Sequence, residues 1–356
     1  MQSRKGAETE RCAMTKKNAA CPRVDIGGQA VMEGVMMKAP DAIAITVRRP
    51  DGTMVVKRDE YVPLSKKHPW MGWPFVRGVV NMVNMLVMGM STLEASTQML
   101  GVLDEEPTKF EKWLADKLGK NVDKVVMGVA IVLAVCLSVG LFIMIPAGVE
   151  SGVMALGMPG IGATLIGGLT KIILLMGYMV LCAFVPDVRR TFQYHGAEHK
   201  TVYCHEAALP LTPENAAPFT TLHPRCGTAF LLIVFIISVL TATIFSGIRV
   251  FALRFLLHLL MLPIVTGVSY EVLKGLAHAD NPVTRALRWP GMQMQRLTTR
   301  QPDNGMLECA IVSMNVALSG LPENAPKTPE GWVMLKSYKE SEPGYVFPAE
   351  TSEAQA

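Results

Sequence analysis

The chain has 356 residues, half of them hydrophobic, with 34 Lys and Arg against 30 Asp and Glu. A mean hydropathy of +0.30 points to a membrane protein rather than to one large soluble core. The net charge of +4, with no basic cluster interleaved with aromatics, excludes nucleic acid as a partner.

Seven cysteines are scattered without a C-x-x-C pair, and Cys136 and Cys182 fall inside apolar segments. Such a set is no disulfide framework and suits a reducing compartment for the polar parts. The first 30 residues are polar and charged with no apolar h-region, so no cleavable signal peptide is expected.

Residues 1–22 read as a disordered tail. Residues 23–70 form a small β-containing element. It opens on the Gly-rich stretch Gly27–Met37, which lacks the Lys-Ser/Thr ending of a phosphate loop. Ala42–Arg48 and Thr53–Lys57, separated by Pro50-Asp51-Gly52, then predict a β-hairpin. Residues 71–124 hold an amphipathic helix, Trp73 to Leu103, and a charged connector from Asp104 to Lys124. Arg77, Asn81, Asn84, Ser91 and Gln98 share one face of that helix in an otherwise apolar surface. This is the pattern of a helix lying in, or partly inserted into, a membrane interface.

Four apolar runs follow within 125–270: Val125–Val149, Ile161–Val185, Thr228–Gly247 and Val250–Tyr270. Each is close to the roughly 20 residues that cross a bilayer's hydrocarbon core. The expected fold is therefore a mainly α-helical membrane protein. It has four transmembrane helices, an interfacial amphipathic helix and a small N-terminal β-hairpin element.

Lys109, Lys112, Lys117, Lys120 and Lys124 precede the first run, and Arg189, Arg190, Lys200 and Arg225 follow the second. Lys274, Arg285, Arg288, Arg296 and Arg300 follow the fourth, whereas Glu150–Gly160 carries no Lys or Arg. Arg249 and Arg254 run against this bias but can snorkel to the far interface. The bias places both termini and the loop 187–227 in the cytoplasm, for a multi-pass inner-membrane protein. Residues 271–319 include a helix from Asn304 to Ser319 with an apolar face, and residues 320–356 read as a Pro/Glu/Ser-rich tail.

The chemistry concentrates in the loop. Asp187, after Pro186, caps a predicted helix from Val188 to about Glu206. Along it, His195 and His199 are four residues apart and share a face, with Glu198 about 100° away. H-x-x-E-H is an arrangement of zinc hydrolases, in which the histidines hold the metal and the glutamate is the catalytic base for water. His223 and Cys226 close the same loop and are candidate further ligands; Glu271, at the end of the fourth run, is a candidate oxygen donor.

Two histidines plus one further ligand leave a position for water, whereas His195, His199, His223 and Cys226 together fill a tetrahedron. Imidazole and thiolate donors suit zinc, and nearby carboxylates leave iron or manganese open. His258 lies within the fourth run and reads as a hydrogen-bonding partner between helices. Arg77 and Glu94 can pair with the loop or face solvent.

Several separated stretches resemble the YqhQ-like family of bacterial membrane proteins. They are Gly28–Met37, Arg77-Gly78, Tyr194–Thr201, His223–Thr228, Ser269-Tyr270-Glu271 and Gln295–Pro302. The likeness spans residues 25–315 of a domain of unknown function usually described as a predicted metal-dependent enzyme. It implies a metal site at His195, Glu198, His199, His223 and Cys226, and brings no substrate. Cys204-His205-Glu206 departs from the tyrosine-glutamate pair expected there, which leaves the role of Glu206 open.

Three functions are compatible with these residues. The first is a metal-dependent hydrolase acting at the cytoplasmic membrane surface on a lipid-linked or peptide substrate. The second is a non-enzymatic scaffold or assembly factor with a structural metal knot. The third is a carrier, in which two copies of the chain enclose a path.

Overall fold

The computed structural model describes residues 26–101, 122–248, 250–278 and 281–347. The predicted tail 1–22, most of the charged connector and residues 348–356 lie outside the described residues. The protein is mainly α-helical, with a small antiparallel sheet and, among the described residues, five helices long and apolar enough to cross a membrane.

The predicted hairpin is the centre of a larger sheet. Strands β1 (Gly27–Val31), β2 (Gly34–Lys38), β3 (Ala42–Arg48) and β4 (Met54–Glu60) form an antiparallel meander. β5 (Val333–Leu335) pairs with β4 in the register Val55↔Met334. The Gly-rich stretch is thus two strands joined at Met32-Glu33, and the C-terminal stretch read as a tail supplies the fifth.

Side chains of successive strand residues point to opposite faces. Val35, Met37, Ala44, Met54 and Val56 pack in one apolar cluster, and Val31, Met36, Ile45, Val47 and Val55 in another. Burial on both faces explains why β2, β3 and the start of β4 are apolar at nearly every position instead of alternating.

The helices of more than four residues, in chain order, begin with α1 (Val76–Leu100). Next come α2 (Val122–Val139), a π-helical turn at Gly140–Met144, and α3 (Ile145–Ala155). Pro146 has no N–H to donate back into the preceding turn, which accounts for the π turn just ahead of it. The helix therefore runs past residue 150, so the loop predicted at Glu150–Gly160 is shorter. Glu150 is buried there and accepts a hydrogen bond from Thr164 Oγ1 at 2.5 Å.

The remaining helices are α4 (Gly160–Cys182), α5 (Pro186–Glu206), α6 (Gly227–Ile244), α7 (Phe251–His278), α8 (Pro282–Thr298) and α9 (Asn304–Ser319). Asp303 caps α9, its Oδ1 accepting from Met306 N at 2.8 Å.

Two bodies result. In the polar one, α9 packs on β2 and β3, and α5 packs on α9 and β1. Tyr194, Ala197, Met306, Leu307 and Ala310 join the first apolar cluster of the sheet. The other body pairs α3 with α4, α4 with α6, and α6 with α7 and α8. α1 connects them: it meets α7 at its start, where a Cβ on Gly78 would lie 2.7 Å from Tyr270 Cβ, and it ends with Met99 and Leu100 under the sheet.

Candidate metal centre

α5 carries the chemistry on a rigid element. Pro186 at its first position has no N–H to leave unpaired, and Asp187 in the first turn complements the positive end of the helix. Unlike the neighbouring apolar helices, α5 buries its polar middle: Glu198, His199, Lys200 and Thr201 are all within protein.

His195, His199 and Cys226 come together, with one donor atom of each within 4.8 Å of the others. Cys226 stands at the N-cap of α6, with its Sγ 3.3 Å from His195 Nε2. Both imidazoles are oriented from behind. His195 Nδ1 donates to the Thr298 carbonyl at 2.9 Å, and His199 Nδ1 donates to the Thr221 carbonyl. With Nδ1 spent on a carbonyl, Nε2 is left as the lone-pair donor of each ring, which is how metal-ligating histidines are held.

Glu198 lies beside this group, its Oε2 3.9 Å from His195 Nε2. Its side chain is 8% exposed, and among the described residues it accepts no hydrogen bond. A carboxylate so largely withdrawn from water and given no donor by the protein is favoured by a positive charge beside it. A divalent cation between two imidazoles and a thiol supplies one, so the residues present fit such an ion. A Cβ on Gly28 of β1 would lie 2.7 Å from Glu198 Cγ, so the Gly-rich strand forms the wall behind the carboxylate.

His223 is near but separately engaged. Its ring centroid is 5.7 Å from that of His199, its Nδ1 accepts from Arg225 N at 3.3 Å, and its Nε2 faces Glu206 Oε1 at 3.3 Å without the alignment of a hydrogen bond. Burial pushes the His223 pKa down, and the charge of Glu198 pulls it part of the way back. Arg225 also pairs with Glu206, which gives that residue a partner in the loop.

The structure does not bring Glu271 into the group. Its carboxylate is taken bidentately by Arg77, at 2.7 and 2.5 Å, where α1 meets α7. The sequence contains both residues, but their separation of 194 positions hides the pairing.

Residues outside the sequence reading hold the loop in place. Lys200 Nζ donates to the carbonyls of Ala217 and Phe219, which replace the water its buried ammonium loses. The same burial lowers the Lys200 pKa. Tyr203 OH donates to Leu222 O at 3.0 Å. Gln295, fully buried, clamps the backbone of His223, accepting from its N at 2.7 Å and donating to its O at 2.8 Å. Gly196 allows the Arg300 carbonyl to lie against α5, where any Cβ would collide with it.

Glu33, at φ 49°, pairs with Arg190 and accepts from Tyr194 OH at 3.3 Å, tying the β1–β2 turn to α5. Gly28, Glu33, Tyr194, Gly196, Lys200, Gln295 and Arg300 stand in stretches that carry the family resemblance, which is the signal that marks them, whereas Arg190 and Tyr203 stand outside those stretches.

Fold and site define a class: a protein of long apolar helices whose polar body presents a His–His–Cys group fit for a divalent cation. Comparison narrows the class to a family. The profile of a family described as "Protein of unknown function (DUF1385)" matches residues 73–320. The chain is 31% identical over 300 residues to "Uncharacterized protein YqhQ" of Bacillus subtilis (strain 168), covering 82% of this chain and 92% of that protein. The chain belongs to this family. No solved structure matches it.

Proposed function

We propose that the chain is a membrane-bound, metal-dependent hydrolase with its centre at the cytoplasmic surface of a bacterial inner membrane. The observation that carries this reading is the convergence of His195, His199 and Cys226, each imidazole fixed through Nδ1, beside the unbonded carboxylate of Glu198. Three protein donors leave one coordination position for water or substrate, the pattern of catalytic rather than structural zinc. When bound, a divalent ion there acts as a Lewis acid on an oxygen of water or substrate. His195 and His199 would hold the ion through their Nε2 atoms, and the carbonyls of Thr298 and Thr221 keep the rings from turning. Glu198 takes the proton of the attacking water at its carboxylate and returns it to the leaving group.

A count of crossings supports four membrane spans. Residues 27–60, α5 and residues 304–335 share one polar body, which occupies one side of a bilayer. The chain therefore crosses an even number of times between 60 and 186, and again between 206 and 304. Of the three apolar helices among the described residues of the first interval, α1 ends under the sheet at Met99 and Leu100. Gly128–Ala155 and Gly160–Cys182 are then the crossing pair, and Gly227–Ile244 and Phe255–Leu276 the second. α1 lies along the surface. The Lys and Arg of loop 187–227 and of α8 fall on the polar body's side, which supports its cytoplasmic placement.

The test uses the detergent-purified chain loaded with cobalt(II). A thiolate-to-cobalt band that disappears in Cys226→Ser, and a spectrum that shifts on adding azide, are expected of an open three-donor site. A filled structural knot leaves the azide arm silent. Hydrolysis of a library of lipid-linked and peptide probes is expected to be lost in Glu198→Gln with metal content unchanged; retained turnover would falsify the role given to Glu198.

A further inference from the structure

Beside Thr221, whose carbonyl takes His199 Nδ1, lies an open cleft of about 350 Å³ lined by Thr220, Thr221, Leu222, Arg296, Thr299, Arg300 and Gln301. Neither arginine has an ion-pair or side-chain hydrogen-bond partner among the described residues, and both are exposed. No Asp or Glu lines the cleft. Two arginines lining one cleft that has no Asp or Glu among its walls give it a positive potential that favours an anion. The negative end of α8 accounts for a basic residue at Arg296, in its last turn, but not for Arg300, which lies beyond the helix.

The walls add hydrogen-bonding groups. Thr299 Oγ1 is buried and donates to Gln295 O at 2.9 Å, with Thr221 Oγ1 at 3.3 Å. Thr220 Oγ1 accepts from Leu222 N at 3.2 Å, which leaves its own proton to give. The floor is rigid because Arg300 N donates to Phe192 O at 2.9 Å and Gln295 clamps the neighbouring loop.

We propose that this cleft binds a phosphate group, with Arg296 and Arg300 as charged forks and Thr220 as a hydroxyl donor. Paired guanidiniums and hydroxyls match the tetrahedral, multiply accepting phosphate better than a halide or a lone carboxylate. The phosphate belongs either to a soluble phosphate ester or to a lipid headgroup, since α8 leads into the cleft from a surface bearing the exposed Val283, Leu287 and Trp289. The site is separate from the metal reading, because it faces the carbonyl side of His199 and uses none of the three donors. Occupancy is transmitted all the same, for Thr221 both lines the cleft and supplies the carbonyl that orients His199.

The experiment is calorimetric titration of the full chain in detergent, stripped of metal with chelator, with inorganic phosphate against nitrate at matched ionic strength. Saturable phosphate binding is expected, with none for nitrate. It weakens about tenfold or more in R296Q/R300Q and partly recovers in R296K/R300K, which restores charge but not the fork.

Nanodiscs distinguish the sources. Phosphatidic acid that competes with phosphate, where phosphatidylcholine does not, assigns the site to a headgroup; phosphate binding undisturbed by either lipid assigns it to a soluble ester. Absence of saturable binding, equal binding of nitrate, or unchanged affinity in the double glutamine variant overturns the proposal. Because the titration is done without metal, a failed cobalt experiment leaves this result standing, and the reverse.

Discussion

α4 and α5 are consecutive helices of 23 and 21 residues with opposite environments. α4 is apolar and faces outward, with Ile173 60% and Leu181 68% exposed. α5 is polar and enclosed, with Lys200 only 4% exposed. The usual association of apolar with buried is reversed between them. α4 has the length and composition of a membrane-crossing helix, and α5 is written for a protein interior in which most buried polar groups find a partner.

The largest expected effect tests what α5 encloses. His195→Ala or His199→Ala should reduce bound metal in the purified protein from near one equivalent to near none by elemental mass spectrometry. Metal retained in both variants breaks the comparison, because α5 would then bury its histidines for packing alone.

Next in size is the exchange of polarity in opposite directions. Lys200→Met leaves the Ala217 and Phe219 carbonyls without a donor, and should cost about 3 kcal/mol in a denaturation series. Ile173→Arg on α4 should cost a similar amount of about 3 kcal/mol, but in membrane insertion, read as the fraction of chain recovered in the membrane pellet. If Ile173→Arg is silent there, α4 does not face lipid.

A smaller loss, about 2 kcal/mol, is expected for Gln295→Leu, which strands the His223 N–H and carbonyl in a buried place. The smallest is a pH effect. Burial lowers the pKa of both His205 and His223. The unfolded chain then binds protons that the folded chain refuses, so stability is full above the ordinary value of about 6.5 and falls as pH drops through the depressed folded values. The slope of melting temperature against pH below that point should flatten in a His205→Gln/His223→Gln variant.

What could be read in advance follows from how each feature is encoded. Apolar runs, the 304–319 helix and the i, i+4 histidines are local patterns, and they read correctly as elements. The Gly-rich stretch did not read as β1 and β2, because Gly28 is small for the sake of Glu198, 170 residues away, and not for its own strand. β5 has three residues, too few for a period to register. Thr221 and Thr298 orient the histidines through backbone carbonyls, which no residue type announces. Glu271 looked like a donor because a carboxylate's partner is invisible until the chain has folded.

The pairing of β4 with β5 has a consequence for how the protein is made. Four strands leave the ribosome before any apolar helix, yet the face that receives α9 stays uncovered until residues 304–319 have been made, and the edge of β4 until residues 333–335 have followed. Until then that half-finished sheet is a sticky template, and the strand that closes it comes from the far side of every apolar helix in the sequence.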